Sequence, residues 1–415
     1  MVRVTDLDTF SALLAPEGQQ LLAVLRDHDP ADELATATRL RRDHPAPLVS
    51  AALGQARLRQ RAAAKFGPDA ARMYFTPNGV EQSTRAPVAA HRAARLAALG
   101  VRTLADLCSG IGGDALALAR AGIRVLAVDR DPLACAAARA NAEALGLADR
   151  IEVRCADVTE VDTAGYDAVF VDPARRTQAP TRGVARSASA RGGGRATGGR
   201  VFDPEAYSPP LSWAVEAARA APHAALKIAP GVPHEALPAD AETEWISDGG
   251  DVKEAVVWFG TGRAGARRAT LLPAGDSLLG AGLPDPEPGP VGGWLYEPDG
   301  AVIRAHLVAD VAEQVDGRLI DPTIAYVTAD RLRPTPYATA YALTDVLPFN
   351  VKKLRALLRE RGVGVAVIKK RGSAVEPEEL RKKLKLAGPH TCTVFLTRVA
   401  GAPTMLLGHP AGPIA

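Results

Sequence analysis

Cysteine is scarce in this sequence, and its spacing matches no common metal site. The chain contains four cysteines, with no CxxC pair and no histidine at zinc-ligand spacing: Cys108, Cys135, Cys155 and Cys392. We therefore expect no metal site. The first three lie in segments predicted to form a core or a ligand site, which favours reduced thiols in a cytoplasm over the disulfides of a secreted protein.

Long apolar runs are also missing. No stretch of about 18 consecutive apolar residues occurs, so the sequence predicts no membrane span. Asp6 and Asp8 occupy the start of the chain, where a signal peptide would carry basic residues before an apolar run. The net charge of +3 is small, so a nucleic-acid partner has to be argued from local clusters.

A chain of 415 residues is too long for a single domain with one ordinary core, so the sequence predicts two domains and a smaller module. Apolar residues at helical spacing precede a region of alternating strands and helices, and a Gly/Pro/Ala-rich stretch follows it. The expected division is a helical region at 1–74, an α/β domain at 75–261, a linker at 262–292, an α+β module at 293–400 and a loose tail at 401–415.

Short apolar strands alternate with helices between residues 101 and 260. This order predicts βαβ units around a parallel sheet, closed by a hairpin-like pair of strands that adds an antiparallel member. The predicted strands are 101–107, 124–128, 151–154, 168–171, 225–228, 244–247 and 255–259, and the predicted helices are 113–121, 132–145 and 204–221.

The strongest local signal is the run Asp106-Leu-Cys-Ser-Gly110-Ile-Gly112-Gly113-Asp114 between the first strand and its helix. Glycines let a ligand approach the backbone, and the helix start offers free N–H groups. Asp129 follows Gly112 by seventeen residues and ends the next strand, where a carboxylate can bind ribose hydroxyls. The alternative is a tight strand–helix turn that binds no ligand.

The same spacing also suits a dinucleotide, because Gly110, Gly112 and Ala115 fit Gly-x-Gly-x-x-Ala. The carboxylate of Asp106 argues against one, since it would repel a diphosphate lying on the loop. S-adenosyl-L-methionine has no phosphate and carries a positive ammonium and sulfonium. The loop therefore favours S-adenosyl-L-methionine as the cofactor.

Residues 103–175 contain four characteristic runs: Asp-x-Cys-x-Gly-x-Gly-Gly at 106–113, Val-Asp-x-Asp-Pro at 128–132, Ala-Arg-x-Asn-Ala-Glu at 138–143 and Cys-x-Asp at 155–157. In these runs the segment resembles a class I methyltransferase core, and it is most similar to RNA methyltransferases related to trimethylguanosine synthase. The resemblance implies an α/β fold with a Rossmann-like seven-stranded sheet. It also implies that Asp129 holds the ribose and that Asp157 contacts the adenine amino group. Cys108 of the loop is a further cofactor-binding residue in this resemblance.

In related enzymes, the segment that leads into the first strand lies over the cofactor. The resemblance carries this role to Phe75 and Thr76. A helix cap is the alternative for Thr76, because threonine favours that position.

A second acidic strand end follows at Asp172-Pro173-Ala174-Arg175. Methyl transfer depends chiefly on alignment, and Asp172 can accept a hydrogen bond from an exocyclic amine, with the Pro173 carbonyl as a second acceptor. Enzymes that methylate amino groups usually carry Asp-Pro-Pro-Tyr. Here Arg175 replaces the aromatic residue. Its guanidinium could stack on the base, bind a phosphate or simply be solvated.

Carbon methylation by a covalent route is disfavoured. The 5-methyluridine enzymes carry Asp-Pro-Pro-Arg, which is nearer to this sequence, but they need a nucleophilic cysteine. No cysteine follows Cys155 until Cys392, in the other predicted domain.

Two basic segments suggest an RNA partner. Residues 175–200 hold seven arginines, six glycines and no acid, which suits either a loop on a phosphodiester backbone or an insertion that serves solubility. Residues 351–385 hold twelve Lys/Arg and four Glu, and the alternative there is a solvated helix face. The element order of 293–400 resembles the THUMP-like module of some bacterial methyltransferases, which implies RNA binding.

Together these patterns predict an α/β methyltransferase with an N-terminal helical region and a C-terminal α+β THUMP-like module. The expected reaction is methylation of a base nitrogen in tRNA or rRNA. The alternatives are a methyltransferase for a small molecule or a protein, and a catalytically silent RNA-binding protein that keeps the cofactor fold.

Overall fold

The computed structural model describes residues 4–174, 205 and 207–412. The chain divides into two compact units. One contains Met1–Glu242 and Val256–Ala264, and the other contains Thr243–Ala255 and Gly265–Ala415. Arg175 and the predicted basic loop at 175–200 lie outside the described residues. Among the helices that the structure describes, none combines the length and apolar character needed to cross a bilayer.

Helices fill the first part of the chain. They are α1 (Val4–Leu14), α2 (Pro16–Val24), α3 (Glu33–Leu40), α4 (Ala46–Phe66), α5 (Pro77–Gln82) and α6 (Ala86–Ala98). Proline stands in the first turn of α2, α4, α5 and α6, where its missing N–H removes no helical hydrogen bond. The helix α4 ends at Phe66, and the capping residue Gly67 has a φ of 56°, which suits glycine.

A parallel sheet follows, with β1 (Thr103–Leu107), β2 (Arg124–Asp129), β3 (Ile151–Cys155), β4 (Ala168–Val171) and β5 (His223–Ile228). The helices α7 (Gly113–Arg120), α8 (Pro132–Ala144) and α9 (Leu211–Ala220) connect them. The central strand β1 pairs in parallel with β2 and with β4, and β5 pairs with β4. The carboxyl ends of β1, β2, β4 and β5 therefore lie at one edge, where ligands bind in such sheets.

The helix predicted over 204–221 begins later, at Leu211. Pro209 and Pro210 precede it and carry no N–H for a helical hydrogen bond. The prediction took Pro204 as the proline of the first helical turn, and so placed the start of the helix too early.

The strands β6 (Glu242–Asp248) and β7 (Asp251–Phe259) are joined by Gly249 and Gly250, whose positive φ values of 63° and 84° suit a two-residue turn. Two more strands, β8 (Arg267–Leu272) and β9 (Asp276–Leu279), complete a sheet of order β3-β2-β1-β4-β5-β7-β6-β8-β9. The first seven strands of this order form the expected Rossmann-like methyltransferase sheet.

The strands β8 and β9 lie in the segment 262–292, for which the sequence predicted a linker. The strand β8 pairs in parallel with β6 and antiparallel with β9. Ala269 is buried, and the Thr270 hydroxyl donates to Glu244 at 2.6 Å. The glycine and proline content of this segment concealed its short strands.

A second sheet, of order β11-β12-β10-β13-β16-β15-β14, forms the C-terminal α+β module. Its strands are β10 (Trp294–Pro298), β11 (Arg318–Leu319), β12 (Val327–Ala329), β13 (Ala338–Pro348), β14 (Val363–Lys370), β15 (His390–Val399) and β16 (Ala402–Pro410). Its helices are α10 (Gly300–Arg304), α11 (Val308–Val315), α12 (Val351–Glu360) and α13 (Pro377–Leu384). Leucines of α12 and α13 share one core cluster with residues of β14, β15 and β16.

The strand β16 occupies residues that the sequence assigned to a loose tail. It pairs with both β13 and β15, and Met405, Leu406 and Leu407 are fully buried. The prediction of a tail from 401 onwards is wrong here, because this apolar run fills the middle of a sheet.

Candidate active site

The loop between β1 and α7 bends through left-handed backbone at three positions. Cys108 has a φ of 67°, Gly110 of 57° and Gly112 of 82°. At Gly112 a Cβ would also approach the Cβ of Ala138 on α8 to 3.3 Å. Gly112 precedes the first turn of α7, whose N–H groups have no partner within the helix. The glycines thus allow a tight turn that places backbone donors at the carboxyl edge of the sheet.

Asp129 ends β2 and binds this loop. Its Oδ2 accepts a hydrogen bond from the Gly110 N–H at 2.8 Å, and its Oδ1 accepts one from the Asp131 N–H at 2.9 Å. Burial raises the pKa of the Asp129 carboxyl, and the two backbone hydrogen bonds oppose that rise. The structure therefore brings together the loop and the strand-terminal acid that the sequence singled out.

Asp106 is buried and has no hydrogen-bond partner. Only 1% of the residue is exposed, and within the described chain no donor reaches either carboxylate oxygen. Burial raises the pKa of this carboxyl well above its usual range, and the carboxylates of Asp114 and Asp172 add to the effect. An uncompensated acid of this kind favours a positively charged ligand.

A buried arginine lies near this acid. Arg92 of α6 forms an ion pair with Asp114 at the start of α7, and its guanidinium lies 4.3 Å from the ring centroid of Phe170 on β4. The arginine charge opposes the rise in the pKa of Asp106. Sequence reasoning missed this residue, because nothing local distinguishes it from Arg95, the other arginine of α6.

Asn141 of α8 ties the loop to the segment before α5. Its Nδ2 donates to the Ile111 carbonyl at 2.9 Å and to the Tyr74 carbonyl at 3.1 Å. Its Oδ1 accepts from the Tyr74 N–H at 2.6 Å. Asn141 is fully buried, so one amide fixes three backbone groups. It belongs to the run at 138–143 that carried the family resemblance.

Phe75 and Thr76 lie in this same segment. The Phe75 ring is buried 5.5 Å from the ring of Phe66, and both backbone groups of Phe75 bond to the Gln55 side chain at 2.8 and 3.0 Å. The Thr76 hydroxyl accepts from the Gly79 N–H at 2.9 Å and caps α5. At Gly79 a Cβ would lie 2.6 Å from the Ile111 Cγ2, so the segment packs directly on the glycine loop.

Asp157 follows β3 and is exposed. Its Oδ1 accepts hydrogen bonds from the Thr159 N–H at 2.9 Å and from the Thr159 hydroxyl at 2.7 Å. These two bonds lower the pKa of the Asp157 carboxyl. Cys155, two residues earlier, is the register partner of Asp129 across β2 and β3, so this acid follows the strand next to the one that Asp129 ends.

Asp172 follows β4, and its backbone N–H donates to the Leu107 carbonyl at 3.2 Å. Its Oδ2 accepts a hydrogen bond from Lys227 Nζ at 2.6 Å, and the same ammonium donates to the Thr84 hydroxyl at 2.9 Å. Pro173 is buried, and Ala174 exchanges two backbone hydrogen bonds with Ser208, of 3.0 and 3.1 Å. Sequence reasoning missed Lys227, although a single charge in the apolar run of β5 was the available signal.

The basic cluster at 351–385 contains two kinds of residue. Five of its cations are ion-paired with Asp or Glu: Arg361, Lys369, Lys370, Arg381 and Lys382. Others on α12 and around the end of α13 have no carboxylate partner within the described part of the chain: Lys352, Lys353, Arg359, Lys383 and Lys385. Arg359 donates to the Lys385 carbonyl at 3.0 Å, which links the ends of the two helices.

Family comparisons assign the parts of the chain. A model described as a methyltransferase domain matches residues 104–186, and one described as THUMP domain-like matches residues 338–410. A domain of unknown function matches residues 6–62. The first match contains the glycine loop with Asp106, Asp129 and Asp172, and the second contains the basic cluster.

Whole-chain comparisons extend the match. Uncharacterised S-adenosylmethionine-dependent methyltransferases from two Mycobacterium tuberculosis strains are 35% identical over 354 residues, which is 82% of this chain and 90% of theirs. A crystal structure assigned as a methyltransferase from Porphyromonas gingivalis shares the fold, with a TM-score of 0.72 at 22% identity, over 92% of this chain and 99% of that one. The chain therefore belongs to the S-adenosylmethionine-dependent methyltransferases, and it carries a THUMP-like module at its C-terminus.

Proposed function

We propose that this methyltransferase modifies a base nitrogen in tRNA or rRNA. The observation that carries the proposal is the Asp172 carboxylate at the end of β4, which Lys227 holds through one oxygen only. A base amino group is a hydrogen-bond donor and suits the other oxygen. The THUMP-like module, with its unpaired cations, supports a nucleic acid as the substrate.

The residues at the carboxyl edge fit S-adenosyl-L-methionine. Asp129 would hold the ribose hydroxyls. Asp106, whose carboxylate has no hydrogen-bond partner among the described residues, would face the cationic part of the cofactor. Cys108, Gly110 and Gly112 would line the ligand with backbone, and Asp157 has one carboxylate oxygen outside its Thr159 bonds for the adenine amino group. Phe75 and Thr76 would support the glycine loop, since their segment packs on Ile111 of that loop.

S-adenosyl-L-methionine supplies a methyl group activated by its attachment to a positive sulfur. Asp172 accepts a hydrogen bond from the base amine and so orients the nitrogen lone pair towards that methyl. The Pro173 carbonyl is a second acceptor for the amine. Arg175 follows directly and would contact either the base or a phosphate.

RNA would contact the unpaired cations of α12 and α13. Lys352, Lys353 and Arg359 lie on α12, and Lys383 and Lys385 lie at the end of α13. Cations without carboxylate partners are available to phosphates, whereas paired ones have to exchange one partner for another. The arginines of 175–200 would add contacts beside the reacting base.

The decisive experiment incubates the purified protein with S-adenosylmethionine tritiated on its methyl group and with fractionated tRNA and rRNA. We expect label in one nucleoside after digestion, lost in Asp172→Asn and retained in the surface control Asp149→Asn. Label in protein or in small molecules would instead indicate another methyltransferase class. Cofactor binding and RNA binding without transfer would indicate a silent RNA-binding protein.

A further inference from the structure

A buried ion pair joins the carboxyl ends of β4 and β5. The side chain of Lys227 is 5% exposed, and its Nζ lies 2.6 Å from Asp172 Oδ2. Val171 and Leu226 are register partners in the parallel sheet. The next residue of each strand is Asp172 and Lys227, respectively, so the pair follows directly from the strand register.

Burial of an ammonium is unfavourable unless the charge is paired and hydrogen-bonded. Leu226 and Ile228 on either side of Lys227 are apolar and buried, and an apolar side chain would serve the core equally well. The lysine instead bonds to Asp172 and to the buried Thr84 hydroxyl. A charge retained at this cost indicates a role in the chemistry of the edge rather than in packing.

The pair leaves half of the Asp172 carboxylate available. Lys227 occupies Oδ2, and in the described residues no donor is assigned to Oδ1. The Asp172 side chain is 23% exposed. The described residues thus hold the carboxylate through Oδ2 and leave Oδ1 for an acceptor amine.

Several groups set the charge around Asp172. Asp106 from β1 and Cys108 from the glycine loop both interact electrostatically with Asp172. Burial is the main cause that raises the pKa of Asp106 and that of Cys108, and the negative charge of Asp172 adds to both. Lys227 from β5 is the cation in direct contact, with Thr84 as its second partner. The ammonium therefore opposes the repulsion that nearby carboxylates exert on Asp172.

We propose that Lys227 is a positioning residue of methyl transfer, which fixes the orientation and negative charge of Asp172 so that Oδ1 receives the acceptor N–H. This inference rests on the proposed function. In the step, the nitrogen lone pair forms the N–C bond, and the electron pair of the broken S–C bond returns to sulfur. The proton released by the methylated nitrogen passes to Asp172 Oδ1 and from there to water.

The test compares Lys227→Met, which keeps the length of the side chain, with Lys227→Arg, which keeps the charge. We expect Lys227→Met to lower kcat for RNA labelling by about 10- to 100-fold, the usual effect of losing alignment. KM and the Kd of S-adenosylhomocysteine should stay unchanged, and Lys227→Arg should restore much of kcat. The control is Lys253→Met, which removes the exposed pair with Asp251.

The pH profile separates positioning from packing. The positioning role predicts that the dependence of kcat on pH changes in Lys227→Met and keeps its wild-type form in Lys227→Arg. Equal kcat in Lys227→Met and wild type, or a parallel loss of cofactor affinity, would overturn the proposal. If Lys227→Met does not fold, Thr84→Val removes one hydrogen bond of the lysine and should lower kcat by about 2- to 10-fold; an unchanged kcat would overturn it equally.

One measurement needs no substrate. In protein labelled with 13C at the aspartate carboxyl, the Asp172 resonance is assigned by its loss in Asp172→Asn. Its chemical shift should change in Lys227→Met, which loses the contact with Oδ2, and stay close to wild type in Lys227→Arg. An unchanged chemical shift in Lys227→Met would overturn the role of Lys227. Absence of RNA labelling by the wild-type protein would contradict the proposed substrate but leave this readout intact.

Discussion

Asn141 Nδ2 donates to the Ile111 carbonyl at 2.9 Å, and this bond fixes the middle of the glycine loop from the neighbouring helix. The same side chain bonds both backbone groups of Tyr74. The loop, α8 and the segment before α5 are thus held by a single buried amide. The shape of the glycine loop therefore depends on a residue of a neighbouring helix.

Asn141→Ala should destabilise the protein and weaken cofactor binding together. It leaves three backbone groups without their partner, so we expect the free energy of unfolding to fall by about 3 kcal/mol or more. Chemical denaturation and calorimetry with S-adenosylhomocysteine measure the two effects. Asn78→Ala, at an exposed asparagine of α5, is the matched control, and equal stability of the two variants would contradict the role of Asn141.

Asp129→Ala should weaken S-adenosylhomocysteine binding by about 1–3 kcal/mol, the range for stranded polar partners. The variant removes the proposed ribose acceptor and also leaves the Gly110 N–H without its bond. Calorimetry measures the Kd, with Asp149→Ala as the surface control. An unchanged Kd in Asp129→Ala would remove the ribose assignment.

Asp106 should make cofactor binding release a proton. Its pKa is raised well above the usual range, so the ligand-free protein holds this carboxyl protonated above the pH at which an ordinary carboxyl ionises, and a cationic ligand would favour the ionised form. The calorimetric enthalpy should therefore differ between phosphate and Tris buffers, by the difference between the ionisation enthalpies of the two buffers for each proton released. In Asp106→Asn that difference should vanish; its persistence would place the proton elsewhere.

The same residue should make the ligand-free protein less stable as pH rises. A carboxyl with a raised pKa in the folded state stabilises it below the ordinary value near 4, and this contribution is lost as pH rises towards the folded pKa. Asp106→Asn should therefore unfold at higher temperature than wild type at neutral pH, while the two converge in acid. A lower melting temperature for Asp106→Asn at neutral pH would show that the carboxyl is compensated.

RNA affinity should depend on the unpaired cations of the THUMP-like module. Changing both Lys352 and Lys383 to alanine should reduce the slope of log K against log salt by about 1.5, from roughly 0.7–0.9 for each phosphate contact. The matched control changes Arg381 and Lys382, which are paired with Glu378 and Glu379. Anisotropy titrations over a range of KCl concentrations measure both slopes, and equal slopes would exclude these lysines as phosphate contacts.

The sequence predicted that the glycine loop and Asp129 lie together, because the signal for this contact is local. Asp106, Gly110 and Gly112 lie within seven residues, and Asp129 ends the next strand, so a βαβ unit brings them together in any such fold. Thr84 and Lys227 are 143 residues apart. Their contact depends on the pairing of β4 with β5 and on the packing of the segment before α6, which no local pattern reports.

The errors in the fold have a similar origin. The strands β8 and β9 are short and surrounded by glycine and proline, and β16 begins within a Gly-Ala-Pro run that is typical of a chain end. Their pairing partners, such as β6 for β8 and β13 for β16, are distant in sequence. For Thr76 the structure shows the helix cap that threonine favours, while its relation to the cofactor stays a prediction.

The doubly hydrogen-bonded pair of Ala174 and Ser208 has a further consequence. These two bonds hold the backbone of residue 174 beside that of residue 208. A change in the number of residues between them would therefore leave Asp172, two residues before Ala174, in its place after β4.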